Sequence, residues 1–108
     1  MSLTLRKLQK YLYEKYKISK PEDLKNTTRY FYKLIEEVGE LSEAIRKNSR
    51  MKDEEIKGTI EEEISDVLYY LAVIANTYDI DMETCFRLKE EFNAKRYGHK
   101  IKIDDMEE

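Results

Sequence analysis

Two stretches of the chain space carboxylates one helical turn apart beside apolar residues, LIEEVGELSEAI (Leu34 to Ile45) and EEEISDVLYYLAVIA (Glu61 to Ala75). Glu37 with Glu40, and Glu63 with Asp66, stand three residues apart, a spacing that puts both members of a pair on one helix face. One such pair is ordinary surface chemistry in a chain with 23 acidic residues. Two pairs on consecutive helices, the second followed one turn later by Tyr70, bring four carboxylates to one place if the helices pack side by side. Two like charges about 4 Å apart repel by about 4 kcal/mol at an effective dielectric near 20, so such a cluster needs cations or protons. The one histidine, His99, lies past the last helical pattern. Oxygen-only ligation favours Mg²⁺, with Mn²⁺ as a substitute, over Zn²⁺, and Mg²⁺ commonly shares its shell between carboxylates and substrate phosphates. The Glu-x-x-His pair of di-iron bundles is absent, which argues against iron storage. Lys89, Asn93 and Arg96, at i, i+4 and i+7, add a polar line suited to phosphate charge, although surface pairing with neighbouring acids explains it equally well. Taken together, these residue types point to metal-assisted phosphoanhydride hydrolysis.

The elements that must position these groups are helices. At 108 residues the chain is one domain, residues 1–108, with a first helix and connector over 1–26 and a tail over 98–108. Charged residues make up 40%, with only 3 Gly and 1 Pro, a composition that suits helices and lacks the punctuation of a β fold. Thr4 caps a helix to about Tyr16, with Leu5, Leu8, Leu12 and Tyr16 on one face. Ile18 to Lys25 is a connector, in which Ser19 and Glu22 form a capping box for one turn. A second helix runs from the Asn26, Thr27, Thr28 region to about Asn48 on a buried stripe of Phe31, Leu34, Val38, Leu41 and Ile45. Glu37 and Glu40 fall roughly 80° and 140° to one side of that stripe, while Glu36 turns away from the core. After a polar turn at Asn48 to Asp53, a third helix, weak near Gly58, runs to about Tyr78 on Ile60, Ile64, Val67, Leu71, Ile74 and Tyr78. Glu63, Asp66 and Tyr70 are displaced to the same side, by roughly 50° to 110°.

Asp81 caps a fourth helix to about Tyr97, and the tail acids Asp104, Asp105, Glu107 and Glu108 are expected to be solvated. The expected fold is all-α, a four-helix bundle-like protomer of antiparallel helices. Val67 to Ala75 is apolar or aromatic all round, more than one small protomer can bury, so the protomer is expected to assemble as an oligomer. Net charge of −3 and a pI near 5.4 give no reason to expect polymeric nucleic acid. No apolar run is long enough for a membrane span and the N-terminus lacks a signal-peptide core, so a cytoplasmic protein without membrane partners is expected. The single cysteine, Cys85, fits a reducing compartment and is expected to be a small buried residue.

With these residues laid out, the chain resembles a MazG-type nucleotide pyrophosphohydrolase of the all-α NTP pyrophosphatase superfamily. The resemblance spans roughly Phe31 to Tyr97 and rests on EEVGE (Glu36 to Glu40), EISD (Glu63 to Asp66) running into VLYYLA, YDIDME (Tyr78 to Glu83) and KEEFNAKRY (Lys89 to Tyr97) in combination. It implies Mg²⁺-dependent cleavage of a nucleoside triphosphate between the α and β phosphates, giving monophosphate and pyrophosphate, as in nucleotide-pool house-cleaning. It also implies Glu37, Glu40, Glu63 and Asp66 as metal ligands and Tyr70, Lys89, Asn93 and Arg96 as phosphate contacts. Glu36, matching the first glutamate of the motif, takes a supporting role or faces another subunit. Homodimers or homotetramers are implied as well. Gly98 stands after Tyr97 where many relatives have proline. The base-binding residues are not defined; Tyr11, Tyr30 and Tyr32 are candidates for stacking, or are packing residues. The competing reading is a catalytically silent helical module whose acidic face docks a basic partner.

Overall fold

Thr4 and Thr59 stand in extended backbone and Asn26 in non-helical backbone, and each accepts a bond from the amide three residues on (Lys7, Glu62 and Arg29), which fixes three helix starts. The computed structural model describes residues 2–107, and these form four helices: α1 (Leu5–Ser19), α2 (Thr27–Arg46), α3 (Ile60–Thr77) and α4 (Met82–Tyr97). Single 3₁₀ turns lie at Pro21–Asp23 and Ile103–Asp105, and there is no strand among the described residues. The all-α class expected from composition is the observed one. No helix among the described residues is long and apolar enough to cross a membrane.

α2 and α3 pack antiparallel, joined at their far ends by the Thr27 to Thr77 hydroxyl bond of 2.8 Å. α1 lies antiparallel to α3, since Gln9 meets Asn76 while Tyr16 meets Tyr69. The core sits where the three meet, on Leu12, Tyr16, Tyr30, Ala72 and Val73.

Several local expectations are corrected. α1 continues three residues past Tyr16. No capping box forms in the connector, because Ser19 Oγ donates back to the Lys15 carbonyl, the bond that a serine in a last helical turn commonly makes. α2 stops at Arg46, and Asn48 takes φ 50°, the left-handed backbone that ends helices. Residues 54–58 are loop and turn. There the Thr-x-x-Glu of Thr59 and Glu62 sets the start of α3: Thr59 Oγ1 accepts from the Glu62 amide and Glu62 Oε1 accepts from the Gly58 amide. Arg50 and the Met51 amide hold Glu61, anchoring the loop to α3. The tail acids Asp104, Asp105 and Glu107 are exposed, as expected, and Asp104 pairs with Arg87 at 2.9 Å; Glu108 lies outside the described residues. Cys85 is exposed.

The buried stripes differ from the expected ones in a way that matters for the site. On α2 the buried and half-buried line is Tyr30, Leu34, Glu37, Leu41 and Ala44, while Phe31, Val38 and Ile45 are about half exposed. On α3 it is Thr59, Glu63, Asp66, Tyr70, Val73 and Thr77; of the expected stripe Ile64, Leu71 and Tyr78 are exposed, while Ile60, Val67 and Ile74 are half-buried. Each helix carries two neighbouring lines at heptad-like spacing, and the less apolar of the two is buried between the helices. The exposed residues follow the buried ones by one position. In an antiparallel pair an equal step turns both to the same side, so they share one face of the α2/α3 hairpin. α1 covers the other face, through Tyr69, Ala72 and Val73.

Candidate metal centre

Glu37, Glu63 and Asp66 each offer a carboxylate oxygen within 4.8 Å of the others, in the seam between α2 and α3. Glu37 lies further inward than its 80° displacement suggested, because the buried line of α2 runs through it. Glu37 Oε2 and Glu63 Oε2 are buried and meet no hydrogen-bond donor. Glu63 is 7% exposed. Buried, unpaired carboxylate oxygens are costly and do not persist without a proton or a cation.

The protonation equilibria carry that cost. Desolvation first, then the adjoining Glu63 carboxylate and the charges of Glu40 and Asp66, lift Glu37 to about 8. Desolvation also raises Glu63, with Glu40 and Asp66 adding to the rise. Asp66 is raised by desolvation and then by the Glu62 and Glu40 charges. Glu37 therefore holds a proton between its neighbours when no cation is present. Among the described residues, none of Glu37, Glu40, Glu63 and Asp66 makes an ion pair with Lys or Arg; the acids flanking them do, Glu36 with Lys33 and Glu61 with Arg50. Oxygen-only donors, clustered and without resident countercharge, fit a hard divalent cation.

Glu40 is exposed and stands at the rim next to Glu37, outside the trio with converging oxygens. Glu36 is exposed, as its angle indicated. Tyr70 is half-buried, one turn beyond Asp66, and its hydroxyl is raised by desolvation, by Tyr69 and by the Glu37 and Asp66 charges, so it stays neutral beside the acids. The nearby Glu62, which sequence reasoning did not single out, adds negative charge; its signal was the Thr-x-x-Glu spacing from Thr59.

Lys89, Asn93 and Arg96 are not brought to the carboxylates within one chain. Lys89 Nζ lies over the Phe92 ring and Arg96 over Tyr97. No residue of α4 is buried. Of the stacking candidates, Tyr30 is corrected to a packing residue: it is 2% exposed, with its ring against Tyr16. Tyr11 and Tyr32 are exposed.

Residues 25–99 match the family model of the MazG nucleotide pyrophosphohydrolase domain. Among curated proteins none matches the chain. Among solved structures, the chain is similar to iMazG from Vibrio DAT 722. In the N-tagged form it is 40% identical, with a TM-score of 0.72, over 90% of this chain and 100% of that one. In the C-tagged form it is 41% identical, with a TM-score of 0.69, over 84% and 98%. The acidic seam lies within the matched span, and the chain belongs to the MazG nucleotide pyrophosphohydrolase family, hydrolases acting on phosphoanhydrides.

Proposed function

We propose that the protein is a Mg²⁺-dependent nucleoside triphosphate pyrophosphohydrolase that cleaves the α–β phosphoanhydride to give a monophosphate and pyrophosphate. The observation that carries this reading is the trio Glu37, Glu63 and Asp66, with two buried oxygens that lack a donor, inside a domain of this family. These three, with Glu40 at the rim, hold the cation. When bound, Mg²⁺ neutralises triphosphate charge and activates water for in-line attack on phosphorus. Glu63, buried and fixed on α3, sets the depth of the site, and Asp66 one turn later turns it toward solvent. A carboxylate of the cluster accepts the proton released by the attacking water. Tyr70 stays neutral and donates to a substrate oxygen, while Lys89, Asn93 and Arg96 take up phosphate charge. Tyr11 and Tyr32 offer exposed rings to a base. Glu36 serves as a supporting acid held by Lys33.

The working form is a cytoplasmic homo-oligomer, a dimer or a tetramer, supported by the apolar face left open by Phe31, Ile35, Val38, Ile64, Leu71 and Tyr78. A panel of canonical and damaged NTPs and dNTPs, read as pyrophosphate release with Mg²⁺ and with Mn²⁺, tests the assignment. Turnover of at least one nucleotide that disappears with EDTA is expected. No turnover across the panel overturns it.

A further inference from the structure

Tyr70 stands beside Glu37 and Asp66, whose charges it feels, and among the described residues it has no hydrogen bond to hold its hydroxyl in place. Its ring leans instead on Tyr69, edge to face, with 5.0 Å between centroids and 69° between planes. Tyr69 is fixed in turn at its far end. Its hydroxyl donates to the Tyr16 hydroxyl at 3.1 Å and accepts from Lys15 Nζ at 3.4 Å, and Lys15 also lies over the Tyr69 ring, 5.4 Å from its centre. Both partners belong to one turn of α1. Tyr16 is buried and carries the contact inward, its ring 6.3 Å from Tyr69 and 5.4 Å from the fully buried Tyr30. Four rings therefore run from the core to the acidic seam, with Lys15 as the exposed member of the hold. Packing alone asks for a ring at position 69. It does not ask for a hydroxyl that uses both its donor and its acceptor capacity on α1.

We propose that Tyr69 and Lys15 are positioning residues for the reaction: α1 aims the Tyr70 hydroxyl at the bound triphosphate by holding the Tyr69 ring on which Tyr70 rests. Neither touches the substrate. Consecutive residues of a helix project about 100° apart, so α1 grips one ring while the other stays at the seam. This rests on the reading given above, in which Tyr70 donates to a substrate oxygen. A donor to charge that develops in the transition state works only at the right place, and a displacement of about 1 Å can cost about 100-fold. The hold on Tyr69 therefore acts on turnover. Substrate affinity, set by the metal and the phosphate charge, stays nearly as it is.

A double-mutant cycle separates this role from plain packing. Tyr69→Phe keeps the ring and removes both hydroxyl bonds, and it is expected to lower kcat about 10-fold with KM within about twofold of wild type. Lys15→Met is expected to lower kcat in the same direction, and Lys15→Arg to restore it. In a Tyr70→Phe chain, which has no hydroxyl to aim, adding Tyr69→Phe is expected to change kcat by less than about twofold. An equal loss in both backgrounds, or a loss confined to KM, marks Tyr69 as a packing residue and overturns the proposal. Full activity of Tyr69→Phe does the same. A second readout needs no turnover. The chain has no tryptophan, so the indole of Tyr70→Trp is a single reporter at the seam, and its time-resolved fluorescence anisotropy follows the motion of that ring. Adding Tyr69→Phe is expected to widen the motion, and an unchanged decay overturns the proposal. A wider motion in a protein that turns over no nucleotide refutes the catalytic reading and leaves the hold of α1 on position 70 standing.

Discussion

Glu63 and Asp66 differ from the other acids of the chain in what surrounds them. Their neighbours are carboxylates and apolar side chains, with no resident cation, so any charge they carry is left for a ligand. Glu63→Gln or Asp66→Asn is therefore expected to lower pyrophosphate release by at least about 100-fold, beyond the loss of an outer-shell partner. Mg²⁺ binding, followed calorimetrically, is expected to weaken in parallel. Retained activity with either variant would remove the trio from the chemistry. Glu37 gives a pH dependence of definite sign. Its carboxyl is raised from an ordinary 4.5 to about 8, so between those values the folded state binds more protons than the unfolded chain. Its contribution to stability is complete below 4.5 and is lost as pH rises through 8. The metal-free protein is expected to melt at lower temperature at pH 8.5 than at pH 5.5, and Mg²⁺ is expected to raise the melting temperature more at the higher pH. A melting temperature that climbs with pH in EDTA contradicts this.

At the scale of the element, the first two helix starts were legible from local chemistry, while the start of α3 and the helix partners were not. Thr4 and Asn26 read as caps because a hydroxyl or amide oxygen satisfies an amide of the first turn wherever the helix later packs. Thr59 does the same for α3, with Glu62 reaching back to Gly58. Thr59→Ala is expected to cost about 1 kcal/mol in urea unfolding, and a change within a few tenths would show that the cap is not stabilising. Ser19 and Glu22 had the same spacing and formed nothing, because α1 runs on through Ser19. The Gln9 side chain donates to the Ile80 carbonyl and accepts from the Met82 amide, a hold on the start of α4 that was invisible in sequence, because a glutamine on the apolar side of α1 is meaningful only once Ile80 and Met82 are beside it. Gln9→Ala leaves the Met82 amide without its partner and is expected to cost about 1–3 kcal/mol. Hydrogen exchange at the start of α4 should accelerate with it, and unchanged exchange there would place the hold on α4 elsewhere.

For the whole molecule, the open face of the α2/α3 hairpin is the dominant feature. Phe31, Val38, Ile64 and Leu71 stay exposed while Glu63 is buried and Glu37 and Asp66 are half-buried, an arrangement one chain alone does not favour. Val38→Lys is expected to shift the sedimenting species toward monomer and to lower the melting temperature. An unchanged distribution would show that the face is bare in solution. The sequence by itself determined the all-helical class, the capped starts at Thr4 and Asn26 and the acid spacing, because periodicity and capping act within one turn of the chain. It also determined that the two acidic strips lie on one side of their helices, since that follows from 100° per residue. Which of two adjacent lines is buried was decided only by tertiary structure. Packing α1 against one face of α3 fixes how the hairpin is turned, and that rotation moves Glu37, Glu63 and Asp66 into the seam and Phe31, Val38, Ile64 and Leu71 into the open. The placement of Lys89, Asn93 and Arg96 is decided at the same level. Their spacing makes a line, but the bonds of Gln9 to Ile80 and Met82 and of Arg6 to Asp81 fix where α4 starts.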